Sequence, residues 1–166
     1  MTGSTSHDRL TAHIEAERAW WRDLVAEIGE ERMTEPGPMG EWTFKDLAAH
    51  LLGWRERTIT RLEAAAAGRP TPPSPWPSEL GGDDDRVNDW IQERSRNRSV
   101  RDVLDDVDRS YERLAKAIAA IPEDVLTRPG AFDWLGHQAL VDLDPFSHVH
   151  DEHEPSIRAW LAGQQG

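Results

Sequence analysis

The sequence predicts an all-α protein, a single domain over residues 1–166 built as a four-helix bundle with a long proline-rich crossover and a short extra helix. Two observations lead to this fold class. Apolar residues recur at helical spacing in four segments, whereas the alternating pattern of strands is almost absent. Four helices of roughly 20 residues, each about 30 Å long, are typical of a bundle. A chain of 166 residues can bury one core without disulfides, and this chain has no cysteine.

The first two helices are bounded by clear sequence signals. The first is predicted over residues 8–30, and the tract of prolines and glycines at residues 33–42 ends it. Thr43 stands three residues before Asp46, which is the spacing of a capping box. The second helix is therefore predicted to begin after Thr43 and to end at Gly68.

The middle of the chain supplies the crossover and two more helices. Residues 69–82 contain too many prolines for a regular helix, so they are predicted to form the extended crossover that a bundle of this kind needs. The short extra helix is predicted over residues 83–97. A third long helix is predicted from Ser99, in a second capping arrangement, to Pro122.

The fourth helix is predicted over residues 140–161. Two prolines interrupt it. Pro145 is expected in a first turn or at a kink, and Pro155 is expected to bend or restart the helix.

Composition and charge limit the classes of partner. The net charge is −12, with 31 acidic residues against 19 basic ones, so the chain repels a phosphate backbone and no nucleic-acid partner is expected. No apolar stretch is long enough for a membrane span. The absence of cysteine and of an apolar N-terminal run favours a cytoplasmic protein. Eight tryptophans suit a small-molecule pocket with aromatic walls.

His50 lies on the apolar face of the second helix, between Leu47 and Trp54. A buried imidazole needs a polar partner, because burying it unsatisfied costs a few kcal/mol. Two interpretations stay open at this point: His50 forms a hydrogen bond with a neighbouring side chain, or it binds a metal.

The stretch HVHDEH at residues 148–153 contains three of the seven histidines. On a regular α-helix His150 and His153 are three residues apart and point towards one centre, whereas His148 and His153 are five apart and cannot both face inward. Together with His50, the pair His150 and His153 is therefore the predicted set of metal ligands. Three imidazoles leave positions open for water or substrate, as in a catalytic zinc, nickel or iron site.

Two carboxylates, Asp151 and Glu152, flank this pair of histidines. Glu152 is the predicted catalytic residue, which either orients an imidazole or acts as a base towards a water at the metal. The alternative is that both are solvated surface acids, and for Asp151 this is the preferred interpretation.

Five segments together carry a resemblance to DinB-like four-helix bundles. They are GEWTFKDLAAHLLGW, NDWIQERSR, RSYERL, FDWL and DEHEPSIRAWL, in this order along the chain, and the resemblance as a whole covers about residues 10–162. The chain is most similar to the subgroup that contains the colibactin self-protection protein. The resemblance implies an up-up-down-down bundle, commonly a homodimer.

The resemblance also implies a metal site. Many DinB-like proteins hold a divalent metal with one histidine of the second helix and two of the fourth, and His50 and His153 match two of these. The usual H-x3-H pattern puts the remaining ligand at position 149, where this chain has Val149, so His150 is expected to substitute. Alternatively, the site has lost its metal and survives as a tryptophan-lined pocket. The tryptophans expected to line it are Trp54, Trp90 and Trp134.

Two functions follow from the resemblance. The first is a metal-dependent hydrolase or a thiol or other group transferase that acts on a small molecule between the helices; thiol transfer with bacillithiol or mycothiol occurs in the wider group. The second is a metal-free self-resistance or binding protein, which sequesters a hydrophobic metabolite or hydrolyses a cyclopropane-type warhead.

Overall fold

The computed structural model describes residues 4–143 and 146–163, and within them the protein is mostly helical, which agrees with the all-α prediction. Its main elements in chain order are α1 (Ser6–Ile28), β1 (Pro36–Met39), β2 (Trp42–Thr43), α2 (Phe44–Ala66), α3 (Asp84–Ser95), α4 (Val100–Ala120), α5 (Glu123–Thr127) and α6 (Glu154–Leu161). A π-helical turn, Val149–His153, directly precedes α6, and we call it the π-turn. No helix in the described part of the chain is long and apolar enough to cross a membrane.

The predicted caps set the starts of two long helices. Thr43 is the N-cap of α2: its hydroxyl accepts a hydrogen bond from the Asp46 N–H, and the Asp46 carboxylate accepts one from the Thr43 N–H. Ser99 caps α4 by accepting from the Asp102 N–H. Each such cap satisfies an amide that the helix leaves free, which is worth about 1 kcal/mol. The predicted starts of both helices are confirmed.

The core lies where α4 packs against α2 on one side and α1 on the other. The largest side chains buried there include Ile14, Trp21, Leu24, Phe44, Leu47, Ile59, Leu62, Tyr111, Leu114 and Ile118. At the edge of this core the Asp108 carboxylate of α4 joins two arginines of α1. Its oxygens lie 2.6 Å from Nη2 of Arg18 and 2.7 Å from Nε of Arg22.

The crossover and the short helix that follows it agree with the sequence. Residues 69–82 are irregular apart from one 3₁₀ turn at Ser78–Leu80. Trp76 of the crossover is buried, and its ring lies 4.8 Å from that of Trp54, measured between centroids. The crossover is therefore anchored on α2, next to the face that carries His50.

A small hairpin was not predicted. The tract at residues 33–42, which the sequence presents only as a helix break, contains β1 and β2, with Pro36 paired to Thr43 and Met39 to Trp42. Gly40 makes the turn with a φ of 62°, a conformation that glycine adopts without strain. Strands this short show no alternating pattern, so periodicity does not reveal them.

The fourth helix is shorter than predicted. Of residues 140–161, Leu140–Asp142 is a single 3₁₀ turn, and the regular helix α6 begins only after the π-turn. Pro155 occupies the first turn of α6, where its missing N–H costs nothing, so it restarts the helix as expected. The expectation for Pro145 concerns a residue outside those that the structure describes.

Candidate metal centre

His50 is buried in α2, with 7% of its surface exposed, and its ring is held in one orientation. Its Nδ1 lies 3.0 Å from Oδ1 of Asn88 in α3, and the same oxygen accepts a hydrogen bond of 2.8 Å from the indole N–H of Trp54. An indole nitrogen can only donate, so the Asn88 atom between the two rings must be its carbonyl oxygen. His50 Nδ1 therefore carries the proton and donates it, which leaves the lone pair on Nε2.

The π-turn brings two further imidazoles together. The Glu154 N–H donates to the Val149 carbonyl five residues back, and this wider turn places residues five apart on the same side of the helix. The Nε2 atoms of His148 and His153 consequently lie 3.2 Å apart. Pro155 favours this turn, because its ring would clash with the carbonyl four residues back in a regular α-helix.

The three imidazoles of His50, His148 and His153 converge. Each offers one ring nitrogen, and these atoms all lie within 4.8 Å of one another. The His50 and His153 rings are perpendicular, with centroids 5.5 Å apart. His50 is buried, His153 is half-buried and His148 is exposed, so the group is open on the His148 side. Among the residues that the structure describes, these three form the one group with the spacing of a metal site.

The electrostatics favour neutral rings at His50 and His153. The pKa of His50 is lowered to about 4, mainly by burial and also by the nearby His153 and His148, while the hydrogen bond to Asn88 partly opposes the shift. Burial also lowers the pKa of His153. A neutral imidazole is the form that binds a metal. Three imidazole ligands fit zinc, nickel or iron, and they leave further coordination positions open.

His150 does not join this group, which corrects the predicted ligand set. Its Nδ1 lies 2.9 Å from each carboxylate oxygen of the buried Glu17, and its ring packs on Trp20 at a centroid distance of 3.8 Å. The prediction assumed a regular α-helix. In the π-turn each residue is rotated about the helix axis by a smaller angle than in an α-helix. His148 therefore lies where a regular helix would have placed His150.

Sequence reasoning missed His148 and Asn88. A signal for His148 was present: the spacing from His148 to His153 is one residue longer than H-x3-H, and Pro155 follows it. A π-turn absorbs one extra residue in a helix, so the two features together indicate it. No signal for Asn88 exists in the sequence, because its contact with His50 depends on how α3 packs against α2.

A cavity of about 700 Å³ opens at the three histidines. Cavities of roughly 300–1,000 Å³ are the usual size for small-molecule ligands. Elements that are distant in the sequence form its wall, including β1, α2, α3 and the π-turn. Besides the histidines, its lining includes Met39, Leu51, Trp54, Arg57, Asn88, Leu114, Trp134, Phe146 and Glu152.

Most of the residues predicted for the pocket and for catalysis line this cavity, and one of them does not. Trp54 and Trp134 line it, whereas Trp90 lies outside it, half-buried beneath the Arg94 guanidinium, 4.8 Å from the ring centroid. Glu152 is exposed and lines the cavity, and its negative charge partly opposes the effect of burial, which lowers the pKa of His153. This places a carboxylate near the group, and its catalytic role stays a prediction.

Comparison with known protein families gives a match over most of the chain. The family model described as the mycothiol maleylpyruvate isomerase N-terminal domain matches residues 14–140. The match includes His50 and Asn88 and ends before His148 and His153. No curated protein and no solved structure matches the chain significantly.

Proposed function

This chain belongs to the family of the mycothiol maleylpyruvate isomerase N-terminal domain, part of the DinB-like superfamily, and on that premise we propose that it is a metal-dependent enzyme acting on a small molecule. One observation carries the proposal: His50, His148 and His153 converge at a cavity large enough for a substrate. The proposed arrangement of the long helices is the up-up-down-down bundle of the superfamily. A homodimer and a cytoplasmic location stay predictions.

Each residue of the site has a proposed task. His50, His148 and His153 would hold the ion, and Asn88 and Trp54 keep the lone pair of His50 Nε2 available. A bound zinc, nickel or iron ion supplies Lewis acidity, which lowers the pKa of a water or thiol. The apolar part of the cavity wall limits access of water to the substrate.

Glu152 is proposed to accept the proton of the attacking nucleophile. It is exposed at the cavity, so it can exchange that proton with solvent. Between a water and a thiol nucleophile we favour the thiol, because mycothiol stands in the description of the matched family. The preferred reaction class is therefore transfer of a thiol to an electrophilic small molecule: a carbon–sulfur bond forms, the bond to the leaving group breaks, and Glu152 accepts the thiol proton. Hydrolysis, with water as the nucleophile, is the related alternative.

A second function, metal-free binding or self-resistance of the colibactin self-protection type, is supported by different observations. Trp54 and Trp134 give the cavity aromatic walls. Val149, at the position of the usual H-x3-H ligand, is buried and apolar. In this case candidate metabolites would quench tryptophan fluorescence equally with and without a chelator.

Metal content and thiol transfer test the proposal. Protein purified without a histidine tag is analysed by inductively coupled plasma mass spectrometry and assayed with mycothiol or bacillithiol and monochlorobimane. We expect about one ion per chain, loss of the ion in His148→Ala and His153→Ala, and its retention in His137→Ala, which removes an exposed imidazole outside the group. Chelation should abolish transfer and added metal restore it. Wild-type protein that contains no metal and cannot be loaded would contradict the proposal.

A further inference from the structure

The face of α2 that carries His50 also carries a tryptophan and two arginines further towards the C-terminal end of the helix. His50, Trp54, Arg57 and Arg61 follow one another at intervals of four, three and four residues, so they lie along one side of the helix. Arg57 lines the same cavity as His50. At the helical rise per residue, Arg57 lies about 10 Å and Arg61 about 16 Å along the axis from His50.

Arg57 and Arg61 differ from most arginines of this acidic chain. The chain has 31 acidic residues, and many of its arginines form ion pairs with them. The paired ones include Arg18, Arg22, Arg32, Arg96, Arg98, Arg109, Arg113, Arg128 and Arg158. Within residues 4–143 and 146–163, by contrast, the Nε atoms of Arg57 and Arg61 are buried without a hydrogen-bond partner.

The two acids that act electrostatically on these arginines form no ion pair with them within the described residues. Asp84 acts through space on Arg57, and Asp133 acts through space on Arg61. Each acid raises the pKa of its arginine, but the effect of burial, which lowers that pKa, is larger. The Asp133 carboxylate accepts a hydrogen bond of 2.6 Å from the Thr71 hydroxyl instead. Both arginines therefore lack a full counter-charge.

Tryptophan rings hold the two guanidinium groups in place. Arg57 lies 4.7 Å from the ring centroid of Trp54 and 5.2 Å from that of Trp76, and Arg61 lies 5.5 Å from that of Trp134. Stacking on a ring uses the face of the guanidinium plane, whereas its N–H donors point from the edge. The rings consequently orient the donors without satisfying them.

We propose that Arg57 and Arg61 bind an oxyanion, a carboxylate or a phosphate, at one end of an elongated substrate. Arginine suits this role because its fork of donors matches two oxygens of such a group. Trp54 and Trp134 line the same cavity as Arg57 and the histidines, and we assign them to the apolar body of the substrate. The reactive end lies at His50, His148 and His153, about 10 Å from Arg57 and about 16 Å from Arg61 along the axis of α2; that placement rests on the proposed function, whereas the oxyanion site does not.

The test compares one apolar body with and without an anionic end. The probes are 5-phenylpentanoate, 5-phenylpentyl phosphate and neutral 5-phenylpentan-1-ol, titrated by calorimetry into chelator-treated protein. We expect at least one anion to bind about tenfold more tightly than the alcohol, as hydrogen bonds to a charged group produce. The tighter of the two anions identifies the oxyanion.

Variants test whether the arginines cause the preference for an anion over the alcohol. Arg57→Gln and Arg61→Gln should each bring the affinity of the anion close to that of the alcohol, and Arg57→Lys should retain part of the preference. Arg69→Gln removes an exposed arginine beyond α2 and should change nothing. Unchanged alcohol binding shows that the cavity is intact in a variant.

Two results would overturn the inference: anions that bind no more tightly than the alcohol, or a preference that survives both glutamine variants. Because these titrations contain chelator, they are independent of the metal. Anion binding in a protein that takes up no metal would contradict the proposed function alone. Metal uptake without anion preference would contradict this inference alone.

Discussion

The Nδ1 atom of His50 lies 3.0 Å from Oδ1 of Asn88, and the indole of Trp54 donates to the same oxygen. This relationship joins α2 to α3 and fixes two things at once, the orientation of the Asn88 amide and the tautomer of His50. Partners of this kind around metal-binding histidines keep the ring aimed at the ion. Asn88 is thus a positioning residue, one contact removed from the candidate metal centre.

Removing the acceptor should therefore weaken metal binding. In Asn88→Leu, His50 loses the partner that fixes its proton on Nδ1, and we expect zinc affinity to fall about 10–100-fold in a competition titration with a chromogenic chelator. Nitrogen NMR of the imidazole in the metal-free protein should show a mixture of His50 tautomers instead of one. Asn97→Leu, at an exposed position, is the control. An unchanged tautomer and affinity in Asn88→Leu would show that this contact has no positioning role.

The π-turn should depend on Pro155. In Pro155→Ala the clash with the carbonyl four residues back is gone, so the turn can adopt the regular α-helical pattern. His148 would then rotate away from His153, and zinc affinity should fall by about tenfold or more. Thermal stability should not fall, because alanine is a good helix former.

The matched control for that experiment is Pro70→Ala in the crossover, which should leave zinc affinity unchanged. If Pro155→Ala binds zinc as wild type does, the proline is not what maintains the turn.

The pH dependence of stability should reveal the Asp108 cluster. The Arg18 guanidinium, and then that of Arg22, hold the pKa of Asp108 well below its usual range, against the opposing effect of burial. A lowered folded-state pKa means that the unfolded chain binds the proton first, so this contribution is present above about pH 4 and is lost as the pH falls further. Asp108→Asn should lower the free energy of unfolding by about 1–2 kcal/mol at pH 7. The difference in this free energy between the variant and wild type should become smaller as the pH falls towards 2.

Urea unfolding between pH 7 and pH 2 measures this effect. Asp105→Asn, in the same helix at an exposed position, is the control and should run parallel to wild type. A constant difference between Asp108→Asn and wild type at every pH would contradict the assignment.

Sequence patterns predicted the features that depend on residues close to one another in the chain. Thr43 with Asp46 and Ser99 with Asp102 fixed the helix starts, because a cap acts within one turn. His50 was placed on the inward face by its spacing alone.

The rest of the site depends on departures from regular geometry and on packing between elements. With 3.6 residues per turn, His150 is the histidine predicted to point towards the other two ligands. In the π-turn, His148 points towards them instead. The contact of Asn88 with His50 joins two helices that no periodicity relates. The positions of Arg57 and Arg61 against Trp76 and Trp134 likewise depend on where the crossover and a later turn pack against α2.

A crystal structure of the zinc-loaded protein, with anomalous diffraction recorded at the zinc edge, tests the central claim most directly. We expect one anomalous peak within bonding distance of His50, His148 and His153, with His150 still on Glu17. A peak bound to His150 instead of His148 would contradict the role of the π-turn. The absence of any peak at these histidines under saturating zinc would contradict the metal site itself.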